Sequence, residues 1–338
     1  MTGKKLWSPS TTKSNISKFI DYVNQSEISD YEDLHKWSIQ EKEIFWDKVW
    51  SFTNIIGEKK GKIFKKSKKF IESKFFEKSL LNYTENCLQK NNNDNAIIFY
   101  NEKKQTRKIT WKQLKINISK ISYFFKSKKI KKNDIIAAVA PNIPETVTAF
   151  LACAQLGAIW SSCSSDFGPK AIIDRFKQIK PKILIITDYY YYNKKKIDTL
   201  KNISSILKEI PSIKEVIIIP YENQKIQKID FKYTNWNTII KNKNTYDVFE
   251  KFNFNHPLYI LFSSGTTGIP KCIVHGAGGS LIQHKKEHHL HSDINDKDIV
   301  FYFTTCGWMM WNWLISSLAS KATIVLYDGS PFIPYIDY

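Results

Sequence analysis

The stretch LYILFSSGTTGIPK (residues 258–271) joins five apolar residues to a run holding two serines, two threonines, two glycines and a lysine. Residues 258–262 read as a strand running up the middle of a sheet, and SSGTTGIPK as the loop that leaves it. Gly265 and Gly268 permit positive φ and close approach of a ligand to the backbone. With so little side-chain bulk, several N–H groups can turn toward one anion. Ser263, Ser264, Thr266 and Thr267 add hydroxyl donors, and Lys271 puts a positive charge at the rim. These are the parts of a loop that holds a polyphosphate. The spacing is not that of a Walker A loop, which reads GxxxxGK followed by Ser or Thr, and the stretch lacks GxGxxG. The plain alternative is a polar hairpin-like turn between Phe262 and Ile273.

The flanking sequence supplies the sheet. From about residue 92, short apolar runs rich in β-branched residues alternate with helical segments. Residues 135–139 read as a strand. Pro144 suits the first turn of a helix running to Leu156, and Gly157 suits its stop. A strand at 158–162 and a helix at 169–179 follow, with further strands at 183–187, 216–219, 259–262, 299–303 and 323–326. This alternation predicts an α/β fold whose mostly parallel sheet is covered by helices on both faces. Ligands in such folds sit beyond the carboxyl ends of the strands, where the glycine-rich loop falls. Residues 1–91 read as a separate helical region, and 92–338 as the sheet-containing domain. ISKFIDYVN (16–24) and SIQEKEIFWDKVWSF (38–52) show apolar residues at helical spacing, with Ser38 and Glu41 spaced as a capping box. The lysine-rich segment 57–70 reads as a solvated loop.

The chain of 338 residues carries 51 basic against 32 acidic residues, a formal net charge of +19. That charge alone would suit a nucleic-acid or membrane-surface binder. Only Arg107 and Arg175 among the basic residues are arginine, while lysine, asparagine and isoleucine abound, as an AT-rich coding sequence would supply. Arginine is favoured for bidentate phosphate and base recognition, so no nucleic-acid partner is expected. Cys87, Cys153, Cys163, Cys272 and Cys306 are scattered, with no CxxC pair. They argue against a disulfide framework or a zinc site and for reduced thiols in a cytoplasm. No apolar segment of the secretory kind follows Met1, so no secretory signal is expected. The most apolar long stretch, 135–160, is broken by Pro141, Asn142, Pro144 and Glu145, so no membrane span is expected.

SSGTTGIPK resembles the phosphate-binding motif of the adenylate-forming superfamily, which contains acyl-CoA synthetases, luciferases and the adenylation domains of peptide synthetases. WSPSTTKSNISKFIDYVN (7–24) resembles the N-terminal region of acetyl-CoA synthetase-like enzymes. SSCSSDFGPKAIIDRFKQIKPKILI (161–185) and FYFTTCGWMMWNWLISSLASKATIVLYDGSPF (301–332) are most similar to the acetoacetyl-CoA synthetase family. The resemblance covers nearly the whole chain and implies the N-terminal domain of an adenylate-forming enzyme, incomplete at its C-terminal side.

It also implies a two-step reaction. A carboxylate and ATP give an acyl-adenylate and pyrophosphate; the thiol of CoA then displaces AMP, with Mg²⁺ offsetting phosphate charge. By this resemblance Ser263, Ser264, Gly265, Thr266, Thr267, Gly268 and Lys271 would hold the β- and γ-phosphates. Trp308, Met309 and Met310 match the segment lining the acyl pocket of acetyl-CoA synthetases, although those enzymes usually carry glycine and histidine after the tryptophan. Acetoacetate is small, so an aromatic and methionine pocket needs few polar atoms to orient it; ordinary helix core is the alternative for this run. Ser165, Asp166 and Phe167 align with a Gly-Gly-Phe stretch that approaches CoA, and the first two depart from it. The tyrosines at 189–192, with Asn193 and Lys194, fall where the family has a further CoA-side loop, an exposed aromatic loop being the alternative.

The resemblance further implies that roughly as much sequence follows residue 338. That part would carry the adenine and Mg²⁺ motif, the acidic residue for the ribose hydroxyls, a hinge and a mobile domain with the adenylation lysine. No catalytic lysine or metal ligand is therefore assigned, and activity of these 338 residues alone is not expected. The oligomeric state is left open. Two other readings stand beside the first: a ligase for acetate or propionate, and a non-catalytic fragment or pseudoenzyme module whose lysines bind anionic partners.

His284-Lys-Lys-Glu287-His288 fits HxxEH, and two histidines four apart share a helix face, as zinc requires. No third ligand accompanies them, and His289 and His291 add none, so HGAGGSLIQHKKEHHLH (275–291) is expected to be a solvated polar helix. Cys272 reads as a small apolar filler, and His275 as a phosphate-side or structural residue.

Overall fold

Strands that are apolar at nearly every position need cover on both faces, and IIAAV, IWSSC and ILIIT meet that condition. The fold is a computed structural model that describes residues 14–222, 226, 229–263 and 268–333. In chain order the larger strands are β1 (Asn95–Asn101), β2 (Thr106–Thr110), β3 (Ile135–Val139), β4 (Ile159–Cys163), β5 (Ile183–Thr187) and β6 (Tyr189–Tyr192). They continue with β7 (Lys195–Asp198), β8 (Glu215–Ile219), β9 (Pro257–Ser263), β10 (Lys271–Gly276), β11 (Ile299–Phe301) and β12 (Thr323–Asp328). The larger helices are α1 (Asn15–Val23), α2 (Tyr31–Gln40), α3 (Lys42–Phe52), α4 (Trp111–Ser127), α5 (Pro144–Gln155), α6 (Pro169–Ile179), α7 (Ala277–Lys286) and α8 (Met309–Ser316).

The main sheet runs β8-β5-β3-β4-β9-β10, with the short strand Thr234–Asn235 outside β8. Every pairing in it is parallel except β9 with β10. Side chains along β5 alternate between two cores: Ile183 and Ile185 join one, Leu184 and Ile186 the other. The first core takes Phe125 of α4, Phe150 of α5 and Trp311 of α8. The second takes Ile172, Phe176 and Ile179 of α6. A second sheet, β11-β12-β1-β2, is parallel but for the β1–β2 hairpin. The two antiparallel pairs, β1–β2 and β9–β10, were not foreseen as strands, apart from β9. No helix among the described residues is long and apolar enough to cross a membrane.

Helix α5 begins on Pro144, whose missing N–H is no loss in a first turn. It ends at Gly157, where φ is +66° and an added Cβ would lie 2.6 Å from the Phe252 ring. The N-terminal stretch 16–24 forms α1 as expected, whereas 38–52 is divided at Glu41 between the end of α2, whose start at Tyr31 was not foreseen, and α3. The segment after α3 is not helical throughout: Gly57–Glu58 pairs with Leu80–Leu81, which pairs with Phe252–Asn253, and Phe64–Lys65 pairs with Lys74–Phe75. Trp50 and Phe76 stack with Phe254, so one continuous core holds residues from both sides of residue 91.

The expected capping box does not form. Ser38 lies inside α2 and donates its hydroxyl hydrogen bond to the His35 carbonyl. Asp30 caps α2, and Glu41 precedes α3 without a side-chain cap. Ser38 has an i−3 carbonyl within reach, and that competes with the cap geometry.

Gly157→Ala tests the close approach of α5 to Phe252. Positive φ and the ring contact together predict a loss of about 1–3 kcal/mol, read as a lower urea midpoint with an unchanged m-value.

Candidate active site

Antiparallel pairing of β9 with β10 sets Ser263 opposite Lys271 and Phe262 opposite Cys272. The two strands are thus antiparallel neighbours that flank the hydroxyl-rich motif in the chain. Ser264, Gly265, Thr266 and Thr267 lie outside the described residues. Gly268 has φ +124° with open space where a Cβ would stand, so backbone conformation rather than crowding requires glycine there. Lys271 is exposed. Gln178 at the end of α6 donates to the Pro270 carbonyl at 2.9 Å, just before β10. Cys272 is exposed, its Sγ 3.6 Å from Gln178 Oε1. It is therefore not an apolar filler: β10 is an edge strand, and Ile273 and Val274 beside it are also exposed. His275 packs its ring on Tyr259 at 4.9 Å, and burial pushes its pKa down.

Beyond the carboxyl ends of β3, β4 and β12 lies a cavity of about 300 Å³. Asn142, Ser164, Ser165 and Asp166 line it from the main sheet, Tyr190 and Tyr192 from β6, and Thr304, Thr305, Tyr327 and Asp328 from the second sheet. Ser165 Oγ and Thr305 Oγ1 are buried with no hydrogen-bond partner, two polar groups that a bound molecule could satisfy. Phe167 stands beside this cavity without lining it. The Arg175 guanidinium stacks over it at 4.7 Å and reaches Phe262 of β9 at 5.9 Å. Arg175 thereby sits between the cavity and β9. Sequence reading passed it over, although it is one of only two arginines.

Trp308, Met309 and Met310 are not helix core. Trp308 precedes α8 and is 67% exposed, Met309 is 44% exposed, and Met310 is partly buried. The buried tryptophan of the run is Trp311, whose Nε1–H donates to Asn142 Oδ1 at 2.9 Å. Ser162 Oγ donates to the Cys306 carbonyl, and a Cβ at Gly307 would press on Ser164 N at 3.4 Å. The start of α8 is thus laced to the end of β4.

The four tyrosines are a strand rather than an exposed loop. Tyr189 and Tyr191 pack against Tyr221, while Tyr190 and Tyr192 face the cavity, the period-two alternation of a strand. Their hairpin turns at Asn193 and Lys194, both at positive φ. The carboxylate of Glu102 accepts the N–H of Asn193 at 3.0 Å, of Lys194 at 2.7 Å and of Ser330 at 2.9 Å. Gly329 has φ +127°, and a Cβ there would meet Glu102 at 2.8 Å. Behind this clamp, Asp188 Oδ1 accepts the N–H of Tyr189 and Tyr221. Tyr221 in turn donates to Asp328 Oδ2 at 2.6 Å. Burial raises Asp328 to a pKa of about 7, with the nearby Glu102 charge adding to the rise against the Tyr221 hydrogen bond.

The histidine-rich helix is buried, contrary to expectation. His284 Nδ1 lies 2.7 Å from Ser316 Oγ, which also meets the Tyr83 hydroxyl at 2.7 Å. His288 Nε2 lies 3.2 Å from Ser317 Oγ, and its ring meets Trp313 edge-on. Glu287 accepts from Gln283 and Trp313. Burial pushes both buried histidines down, His284 to about 4. Lys285, also buried, donates to the Ala319 carbonyl at 2.8 Å, and burial lowers its pKa to about 8. Small residues of α8 and the turn after it let this polar face sink in, which a single-helix reading cannot detect. No group of three or more His, Cys, Asp or Glu side chains among the described residues could hold a metal ion. The residues described thus offer no ready-made cage of protein ligands for the Mg²⁺ implied by the resemblance.

A mostly parallel sheet covered by helices, with a cavity at its carboxyl edge, is the fold of the adenylate-forming enzymes. The family model described as AMP-binding enzyme matches residues 84–336, and the chain belongs to that family. Among its relatives, an acetoacetyl-coenzyme A synthetase of Rhizobium meliloti is 42% identical over 98% of this chain and 52% of the relative. That of Xenopus tropicalis is 38% identical over 100% of this chain and 52% of the relative. The solved acetoacetyl-CoA synthetase from Streptomyces lividans superposes with a TM-score of 0.90 at 32% identity, over 96% of this chain and 51% of that one. The chain spans about half the length of the curated relatives it matches.

Lys285 gives a pH test of the buried helix. Its unfolded form holds a proton up to pH 10.5 and its folded form only to about 8. Between these values the unfolded state binds more protons, so Lys285 makes stability rise with pH. Buried cysteines and tyrosines, with raised pKa values, act the other way above pH 9. The difference between wild type and Lys285→Met isolates the lysine. It should move toward the wild type by up to about 1.4 kcal/mol per pH unit above pH 8, in urea titrations at pH 7, 8 and 9.

Proposed function

We propose that this chain forms the ATP- and CoA-facing part of a cytoplasmic ligase that converts acetoacetate to acetoacetyl-CoA through an acyl-adenylate. One observation carries the reading: two different binding features open at the carboxyl ends of the neighbouring strands β4 and β9. One is the motif flanked by Ser263 and Lys271; the other is the cavity lined by Ser165, Asp166 and Tyr190. An enzyme that first charges an acid with ATP and then hands it to a thiol needs both, side by side.

In this reading the backbone N–H groups and hydroxyls from Ser263 to Gly268, with the Lys271 ammonium, hold the β- and γ-phosphates. Fixed donors there stabilise the charge that collects on departing pyrophosphate. CoA approaches from the cavity side past Ser165, Asp166 and Phe167, and Tyr190 and Tyr192 supply flat walls for its arm. Trp308, Met309 and Met310 border the acid. Acetoacetate is preferred over acetate or propionate because the relatives above are named for it. Five free cysteines suit a reducing compartment.

The test is exchange of labelled pyrophosphate into ATP by the whole gene product. Exchange should depend on acetoacetate and run at least about tenfold slower with acetate or propionate. Preference for either of those acids overturns the choice of substrate, and no exchange with any acid overturns the ligase. Trp308→Ala should change the acetoacetate-to-acetate ratio of kcat/KM by about tenfold or more, with little change in the KM for ATP. Equal effects on acid and nucleotide would remove Trp308 from the acid's pocket.

A further inference from the structure

The cavity has a lining opposite in charge to the rest of the chain. The protein carries a net +19, yet among the described residues neither Lys nor Arg lines the cavity, while Asp166 and Asp328 do. Phosphates and carboxylates are poor guests for such a space. An uncharged molecule rich in hydrogen-bonding groups is a good one, and the unpartnered hydroxyls of Ser165 and Thr305 offer it two further contacts.

A hydrogen-bond chain behind the wall fixes how Asp328 faces that guest. Asn101 Oδ1 accepts the backbone N–H of Lys103 and of Gln105, so its amide orientation is set. Its Nδ2 is therefore the donor to the Tyr221 oxygen at 3.2 Å. The Tyr221 O–H must then donate onward, to Asp328 Oδ2. With Oδ2 committed as an acceptor, Oδ1 is the oxygen left for the cavity, and a proton on this carboxyl resides there.

We infer that Asp328 is a specificity-determining residue of the cavity, donating a hydrogen bond from its protonated Oδ1 to a carbonyl of an uncharged, amide-bearing chain. The inference rests on the reading of the cavity as the CoA side, and assigns to it the pantetheine arm rather than the phosphates. Asp328 is 8% exposed; burial and the Glu102 charge favour its neutral form, and the Tyr221 hydrogen bond opposes it. Glu102 lies behind it from the β1–β2 turn and Asp166 across the cavity. Tyr190, Tyr327 and Cys306 face it from β6, β12 and the loop before α8. The nearby cation, Arg107, acts on Tyr221 and is itself paired in a fork with Glu145. The pKa of about 7 places the change of form within the working range.

The experiment is calorimetric titration of this chain with pantetheine and with CoA at pH 6, 7 and 8. Pantetheine should bind about tenfold more weakly at pH 8 than at pH 6, as the protonated fraction of a group of pKa near 7 falls. Asp328→Asn keeps an acceptor for Tyr221 and a permanent N–H for the cavity. It should bind pantetheine at every pH as the wild type does at pH 6, whereas Asp328→Ala should bind weakly throughout. Tyr221→Phe removes a hydrogen bond that holds the Asp328 pKa down, so the midpoint of the pH profile should move to higher pH, a shift that mere loosening of the wall would not produce. Pantetheine binding without pH dependence, or an Asp328→Asn profile that follows Asp328→Ala, overturns the role of Asp328 and leaves the CoA reading standing. Failure of both pantetheine and CoA to bind at any pH overturns the two together.

Discussion

One buried carboxylate, that of Glu102, accepts three backbone N–H groups from two separate turns. It stands where β1 of the second sheet gives way to its hairpin. Through it the tyrosine hairpin, which follows β5 of the main sheet, is tied to the loop after β12. Charge-assisted hydrogen bonds of this kind contribute about 1.5–3 kcal/mol each. Their larger effect is geometric: without the carboxylate, three amides held in tight turns would lose their partner together. Gly329 makes room for it, since any side chain there would strike Glu102. The chain Asp188–Tyr221–Asp328 runs parallel to this clamp and repeats the device one layer deeper. The cavity is what remains between sheets joined in this way.

Much of the main sheet was legible because its strands are buried on both faces and read as unbroken apolar runs. Proline at the start of α5 and α6 and glycine after α5 marked boundaries that local chemistry enforces. The readings that failed depend on neighbours. Ser38 and Glu41 have capping-box spacing, but the helix that contains Ser38 begins earlier, at Asp30. The β1–β2 hairpin mixes lysine and glutamine with its apolar residues, so no period stands out. Helix α7 and the turn that continues it carry His284, His288 and Lys285, which look solvated, yet Ser316, Ser317 and the Ala319 carbonyl meet them inside the fold. Partners some 30 residues away decide whether such side chains are buried.

The candidate site divides along the same line. The motif loop is contiguous, so its residue types and spacing suggest an anion site without reference to any fold. The cavity is assembled from five separate stretches, and Asp328, Tyr221 and Glu102 carry no local pattern. YDGSP was legible only as part of a resemblance. That Asp328 is sunk beneath Tyr221, and that Gly329 yields space to Glu102, follow from tertiary contacts alone. Trp311 shows the same limit: in GWMMWNW the tryptophan that is fully buried, and bonded to Asn142, looks no different in sequence from the exposed Trp308.

The two arginines repay attention in a chain so rich in lysine. Arg107 grips Glu145 through two nitrogens and lies over Phe99 at 4.8 Å. Arg175 lies flat on Phe167 and extends toward Phe262. Both use the planar face of a guanidinium, and Arg107 its fork as well, which an ammonium does not possess. An AT-rich coding sequence drives arginine codons toward lysine wherever a point charge suffices. In a chain whose other basic side chains are lysine, the two guanidinium groups lie where flat stacking on a ring is used as well as charge.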